Sequence, residues 1–444
     1  MMASSILTLG RHTVSGMIAA AGRQFSDWSA AYRLFERERI DTDCLFAPAL
    51  DEAIRLQGGD CVYAVMDDTM IRKTGKNVSG TSWRRDALGP PFTTNIVWGQ
   101  RFLQVSVAVP DFNGSGRARA IPVGLTHAPT PRKPKKTALP EVWQAYRTEL
   151  FRTKVSSLGA RQLKVLRKNV KDKKIVVAVD GGFTNRTVFS DIPENTTLIG
   201  RIRKDARLFA PPEQTTAPAR GRKRIYGEAL PTPDQIRQDD SIPWQTVEAF
   251  AAGRRHDFDV KVISPVRWKG LGDKDAMVVI IRPLAYRKSK GARLMYRQPA
   301  YLICTDITLA LEDLVQAYLW RWEIELNFRD EKTVFGVGEA QVRTPASVES
   351  VPALIVASYA FLLLAGISSE ANSTVLPSPK WARKKPCDRC STQQFVAQYR
   401  AQLWGIGMES IFRGFVSSPL STRSPFNCPG QQNLLHSAVC YATK

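Results

Sequence analysis

Three carboxylates stand where chemistry on a phosphate could be organised. Asp67, followed by Asp68, ends the apolar run "YAVM", and Asp180 ends "KIVVAV". Both runs have the character of buried strands, so each acid is expected where a strand leaves a sheet, a usual place for ligand sites. The plainer use of such an Asp is to cap the following turn, and for either acid alone that use is the commoner. The third acid, Glu325, lies in "AYLWRWEIELNFRDEK", residues 317–332. At 100° per residue Tyr318, Arg321, Glu325 and Lys332 fall within about 60° of arc, with Arg329 on the same stripe. Leu319, Trp322 and Leu326 form an adjacent apolar strip that can pack on a sheet. A carboxylate flanked by cations is costly to bury without an anionic partner. The alternative is a solvated face of ion pairs such as Arg321–Glu325 and Glu325–Arg329, although Trp320 and Trp322 weigh against full exposure. Carboxylates from two strand ends and a helix can hold two hard divalent cations about 4 Å apart, aligning the attacking and leaving oxygens of a phosphodiester.

The elements that must position these acids follow from patterning. Residues 1–55 read as short amphipathic helices, compatible with a helix-turn-helix or with a purely structural bundle. "CVYAVMDDT", "FLQVSVAVPDF" and "ARAIPVGLTH" are strand candidates, followed by one long helix across 140–170. "KIVVAVDGGF" is a continuous β-branched run, the pattern of a central strand, and a short helix near "NRTVFSDI" leads to the strand "TTLIGRIRK". The fold class expected is α/β: a mixed sheet flanked by helices. A Pro/Ala/Arg-rich loop then opens a β-rich insertion, whose last strand, "PAYLICTD", is a candidate for the main sheet. One helix is expected from about residue 308 to Gly336. Beyond 345 the chain reads as helical, then as a Ser/Pro/Gly-rich tail after 417.

Composition points to a polyanionic partner. The 444 residues carry 63 Lys plus Arg against 41 Asp plus Glu, a formal net charge of +22. A field of that sign concentrates nucleic acid, and an anionic membrane surface less specifically. Residues 131–174 alone hold 14 Lys plus Arg against 3 acids, beginning at "PRKPKK". No signal peptide pattern is present, and the apolar run 352–366 is shorter than the ~20 residues of a membrane span, so it reads as a buried core helix. Seven dispersed cysteines indicate a reducing compartment. Cys387 and Cys390, with Cys428 and Cys440, fit no common zinc spacing. Four histidines and no GxSxG leave little for acyl transfer.

The pattern Y-x2-R-x3-E-x6-K in "YLWRWEIELNFRDEK", with "MDDT", "VDGGF" and "NIVWGQRFLQVS", resembles the insertion-sequence DDE transposases of the cut-and-paste, hairpin-forming group. The resemblance covers roughly 60–345. It implies a ribonuclease-H-like catalytic domain (56–204 and 301–345) interrupted by the β-rich insertion (205–300). Around these lie a helical N-terminal DNA-binding region (1–55) and a mostly helical C-terminal region (346–444). It implies Asp67, Asp180 and Glu325 as ligands of two Mg2+ ions, with Mn2+ as a substitute and Asp68 as the alternative or supporting first ligand. Tyr318, Arg321 and Lys332 would contact phosphates of the DNA end, joined by Arg329. Trp322, Trp244 or Trp268 would stack on a base flipped beside the cut. The implied partners are transposon-end and target DNA and a second copy of the chain, with no membrane, in a bacterial cytoplasm at the nucleoid. Two rivals share these residues: a non-catalytic DNA-binding descendant and a structure-selective nuclease.

Overall fold

The computed structural model describes the chain except residues 87–91, 93–94, 112–115, 214–223, 288–290, 371–388 and 413–444; the side chains of 369–370 and 404–412 are also left aside. The tail after 417 and three of the four cysteines considered for zinc, Cys387, Cys428 and Cys440, lie outside the described residues.

Four helices open the chain: α1 (Met2–Leu7), α2 (Val14–Ala20), α3 (Ser29–Glu36) and α4 (Thr42–Gln57). Strands β1 (Cys61–Arg72), β2 (Ser82–Arg85), β3 (Ile96–Pro110) and β4 (Ala118–His127) precede α5 (Pro140–Arg152) and α6 (Val155–Asn169). Then come β5 (Lys174–Val179), α7 (Arg186–Phe189), β6 (Thr196–Arg201), β7 (Leu208–Phe209), β8 (Ala229–Leu230) and α8 (Pro233–Gln238). Next are β9 (Gln245–Ala251), β10 (Arg254–Trp268), β11 (Asp275–Ile281), β12 (Ala285–Tyr286), β13 (Met295–Tyr296) and β14 (Ala300–Cys304). The last helices are α9 (Leu311–Trp320), α10 (Trp322–Thr333), α11 (Pro345–Glu370) and α12 (Thr392–Phe412).

Two units interleave along the chain. One comprises 50–70 and 100–326; the other comprises 1–49, 71–99 and 327–444. The first is built on a sheet with β4 on β3 and the order β3-β1-β5-β6-β14-β11-β10, β9 and β7 pairing with β10. β5 runs parallel to both β1 and β6, whereas β14 is antiparallel to β6 and β11. Strands β7 to β11 of the expected insertion therefore extend the same sheet, whereas β12 and β13 pair with each other in a separate two-stranded ribbon. The result is the mixed sheet with helices expected of a ribonuclease-H-like fold.

Side-chain alternation gives the sheet two covered faces. On one, Leu314, Val315 and Ala317 of α9 close a cluster with Val176, Ile199, Val279 and Leu302. On the other, α6 approaches closely enough that a Cβ at Gly159 would lie 3.1 Å from Phe183 and 3.3 Å from Met66. The long helix expected across 140–170 is two helices. The Thr153 hydroxyl donates to the Glu149 carbonyl (2.8 Å) and Lys154 is extended, which ends α5 without Gly or Pro.

The second unit is helical with a short ribbon, β2 pairing Ile96–Gly99 of β3. Its central helix α11 is long and apolar enough to cross a membrane, yet 89% of that apolar window is buried inside the structure. Ser350 Oγ donates to Phe35 O (3.2 Å), and Arg400 Nη2 donates to Thr8 O (3.0 Å), tying α3 and α12 into the bundle.

Gly200 on β6 lets the turn after Asp180 seat itself. A Cβ there would lie 2.9 Å from the buried Phe189 ring and would press on Thr184, whose hydroxyl donates to Asp180 O at 3.2 Å. Gly200→Val should therefore cost about 1–3 kcal/mol by overpacking and lower the thermal unfolding midpoint. An unchanged midpoint would show that this turn yields freely.

Candidate active site

The register of β1 against β5 sets the first two acids side by side. Met66 lies opposite Val179, so the next residues along these parallel strands are Asp67 and Asp180. Asp180 follows the end of β5 as expected. Asp67 does not end its strand: β1 continues to Arg72, and only the pairing with β5 stops at Met66. Alternation then separates Asp67 from Asp68. Asp68 is gripped by Arg101 of β3, Nε to Oδ2 at 2.5 Å and Nη2 to Oδ1 at 2.6 Å. Asp67 faces the side of the sheet where Tyr63 meets Trp320 edge to face, with ring centroids 5.4 Å apart.

That contact brings α9 and α10 to the acids. Arg321 Nη1 reaches Asp67 Oδ2 at 3.2 Å and Glu325 Oε1 at 3.3 Å, and its guanidinium lies 6.0 Å from the Tyr318 ring centroid. Arg321 feels the charges of Asp67, Asp180 and Glu325 together. The helix expected to run unbroken through 317–332 is divided at this arginine into α9 and α10. Its amide bonds to Tyr318 O, and its carbonyl accepts from Ile324 N, two i→i+3 contacts that tighten the turn. Ile324 and Phe328 are buried, Leu319 and Leu326 half-buried, and Trp322 is 58% exposed, so Trp322 is not part of an apolar strip.

Burial dominates the electrostatics. It pushes the Asp67 carboxyl up to about 7, against the pull of Arg321 and with the Asp68 and Asp180 charges adding to the rise. Burial also raises Glu325, opposed by Arg321 and assisted by Asp180. A folded-state value above the unfolded one means that Asp67 costs stability as pH climbs from about 4 to about 7. Asp67→Asn should therefore gain relative to wild type across that interval, by at most about 1.4 kcal/mol per pH unit. Denaturant unfolding at pH 5 and pH 8 measures the difference; a pH-independent difference would contradict the assignment.

The donor set, all carboxylate oxygen, suits a hard divalent cation. Among the described residues no three acid, His or Cys side chains are placed to hold one ion together. At the centre of this cluster the positive charge is a guanidinium, bridging the oxygens of Asp67 and Glu325. The residues thus fit a cation in kind, on condition that Arg321 swings aside.

Other expected residues have partners of their own. Trp268 stands edge to face with Phe189 (5.6 Å) and lines a cavity of about 1050 Å³ that starts at Gly181 and includes Arg201, Lys204 and Arg237. Trp244 covers Lys261 Nζ at 4.6 Å from its ring. In the second unit, Arg329 is exposed and paired with Asp330 (Nη2 to Oδ1, 2.9 Å), not with Glu325. Lys332 Nζ sits 6.0 Å from the Phe328 ring. Arg101, which occupies Asp68, carried no signal in the sequence, being 33 residues away on another strand.

A family model described as DDE superfamily endonuclease matches residues 2–271. The chain belongs to that superfamily. The matched span contains Asp67 and Asp180 and stops before the helices that carry Arg321 and Glu325. No curated protein sequence matches the chain. Among solved structures it is similar to a piggyBac transposase synaptic complex with hairpin DNA, with a TM-score of 0.37 and 11% identity over 97% of this chain and 77% of that one. Residue roles in this DDE endonuclease do not transfer at that level of likeness.

Proposed function

We propose that this DDE endonuclease is a transposase that cleaves DNA at the ends of an insertion sequence and joins the 3′ ends to target DNA. The observation that carries the reading is Arg321 bridging Asp67 and Glu325, with Asp180 set beside Asp67 by strand register, in a basic chain of this superfamily. The residues that would hold two divalent cations, Mg2+ with Mn2+ as substitute, are Asp67, Asp180 and Glu325. When bound, the pair supplies Lewis-acid activation and alignment of the attacking and leaving oxygens. Asp68, held by Arg101, would buttress β1 rather than ligate.

The chain's own part is positioning. Tyr318 and Arg321 would receive the phosphates flanking the cut, and a phosphate is the partner that would draw the guanidinium off the carboxylates. Lys332 and Arg329 would extend that grip along the backbone. Water opens one strand; the freed 3′-hydroxyl attacks the opposite strand to give a hairpin, which water reopens; the same 3′-hydroxyl then displaces a phosphate of target DNA. Each step is one in-line displacement that forms and breaks one P–O bond. The exposed Trp322 is favoured over Trp244 for stacking on an unpaired base, because Trp244 already covers Lys261. An element has two ends, so two copies of the chain would act together.

Glu325→Gln should bind end DNA with wild-type affinity and lose magnesium-dependent nicking by at least about a hundredfold. Nicking at the wild-type level would remove Glu325 from the reaction. Arg321→Ala and Lys332→Ala should each lower the slope of log K against log salt by about 1. Unchanged slopes would show that neither side chain meets phosphate.

A further inference from the structure

Among the described helices of the sheet-bearing unit, α5 is the one without a buried residue, and it packs only lightly on α6. It is 13 residues long and none of them is buried. Helices of that length are marginal in water without tertiary packing. Yet α5 carries an apolar stripe: Leu139 at its N-cap, then Val142, Trp143, Tyr146 and Leu150, recurring every three or four residues. Leu139 is 68% exposed, Val142 47% and Leu150 43%. Trp143 and Tyr146 are half-buried and meet edge to face, 5.9 Å apart, a contact within the helix itself.

The chemistry of the helix selects the partner. Glu141 and Glu149 balance Arg147 and Arg152, so α5 is neutral in a chain of net charge +22. The cations of this region lie in the flanks, from Arg132 to Lys136 and at Lys154. DNA would engage the flanks; a neutral apolar stripe fits another apolar stripe. Arg147 and Glu149 stand about 80° to either side of its centre. In two parallel helices related by a two-fold axis, each flank meets the opposite flank of the other copy. Arg147 of each would then face Glu149 of the other. The stripe is self-complementary in charge as well as in hydrophobicity.

We propose that α5 is a self-association surface, pairing in parallel with α5 of a second copy through Val142, Trp143, Tyr146 and Leu150. Glu149 now bonds Arg152 at 2.9 Å and 3.1 Å, an exposed pair of small worth that exchanges at little cost for an intermolecular one. A helix of this length spans about 20 Å. Its pairing buries less than the roughly 800 Å² per partner of a standard interface, so the free chain associates weakly. The surface stands whether or not the chain cuts DNA, and its test uses none.

Sedimentation velocity of the full chain across a concentration series reads the association directly. Wild type should show a concentration-dependent rise in sedimentation coefficient. Tyr146→Asp should abolish that rise while leaving the thermal midpoint unchanged, because α5 contributes no buried side chain. Arg147→Glu and Glu149→Arg should each weaken association by about three- to tenfold through like-charge contacts. An equimolar mixture of those two variants should restore it, since the mixed dimer has Glu opposite Arg at both flanks. Wild type that stays monomeric throughout, single variants that associate like wild type, or a mixture that fails to recover would each overturn the proposal.

Discussion

One guanidinium bridges Asp67 and Glu325, and strand register sets Asp180 beside Asp67. Asp67 is largely buried, its charge is opposed by desolvation and by Asp180, and it tolerates that position because Arg321 stands 3.2 Å away. A buried ion pair of this kind adds little net stability, but removal of one partner leaves an uncompensated charge and is expensive. The cost of the cluster is met elsewhere, in the dry packing of α9 against β5, β6, β11 and β14. The sheet supplies the rigid floor, and the helix pair delivers the cation and the third acid.

Strand register does the finer positioning. Because β1 and β5 run parallel with Met66 opposite Val179, Asp67 and Asp180 are adjacent by backbone geometry, before any side-chain contact is considered. A slip of one residue would present Asp68 to the site and Asp67 to Arg101. The bidentate Arg101–Asp68 pair on the opposite face therefore also guards the register, which is how a second adjacent acid is put to use without competing for the first.

The sheet was legible wherever burial alone decides conformation: β5 appears as a β-branched run, and β6 and β14 as short apolar runs whose central residues are buried. Asp180 was readable for the same reason, as the first polar residue after such a run. Less was readable where tertiary contacts override local propensity. The division between α9 and α10 at Arg321 has no Pro or Gly to announce it; it accompanies a guanidinium pinned to carboxylates 254 and 4 residues away. A helical projection puts Trp322 on a packing strip with Leu319 and Leu326, of which the folded chain leaves Trp322 exposed. The end of α5 was hidden in the same way, fixed by a threonine hydroxyl turned onto a carbonyl. Asp67 was expected at a strand end because its apolar run stops there, whereas β1 continues beyond its last partner on β5.

Cation-directed cleavage of the polypeptide tests most directly whether these three acids form one divalent-cation site. Ferrous iron substituted for magnesium on the end-DNA complex, with ascorbate and peroxide, generates radicals that cut backbone only within a few ångströms of the ion. Fragments ending near residues 67, 180 and 325, all suppressed by excess magnesium, are the expected result. Cuts at other segments, or at one of the three without the others, would contradict a shared site.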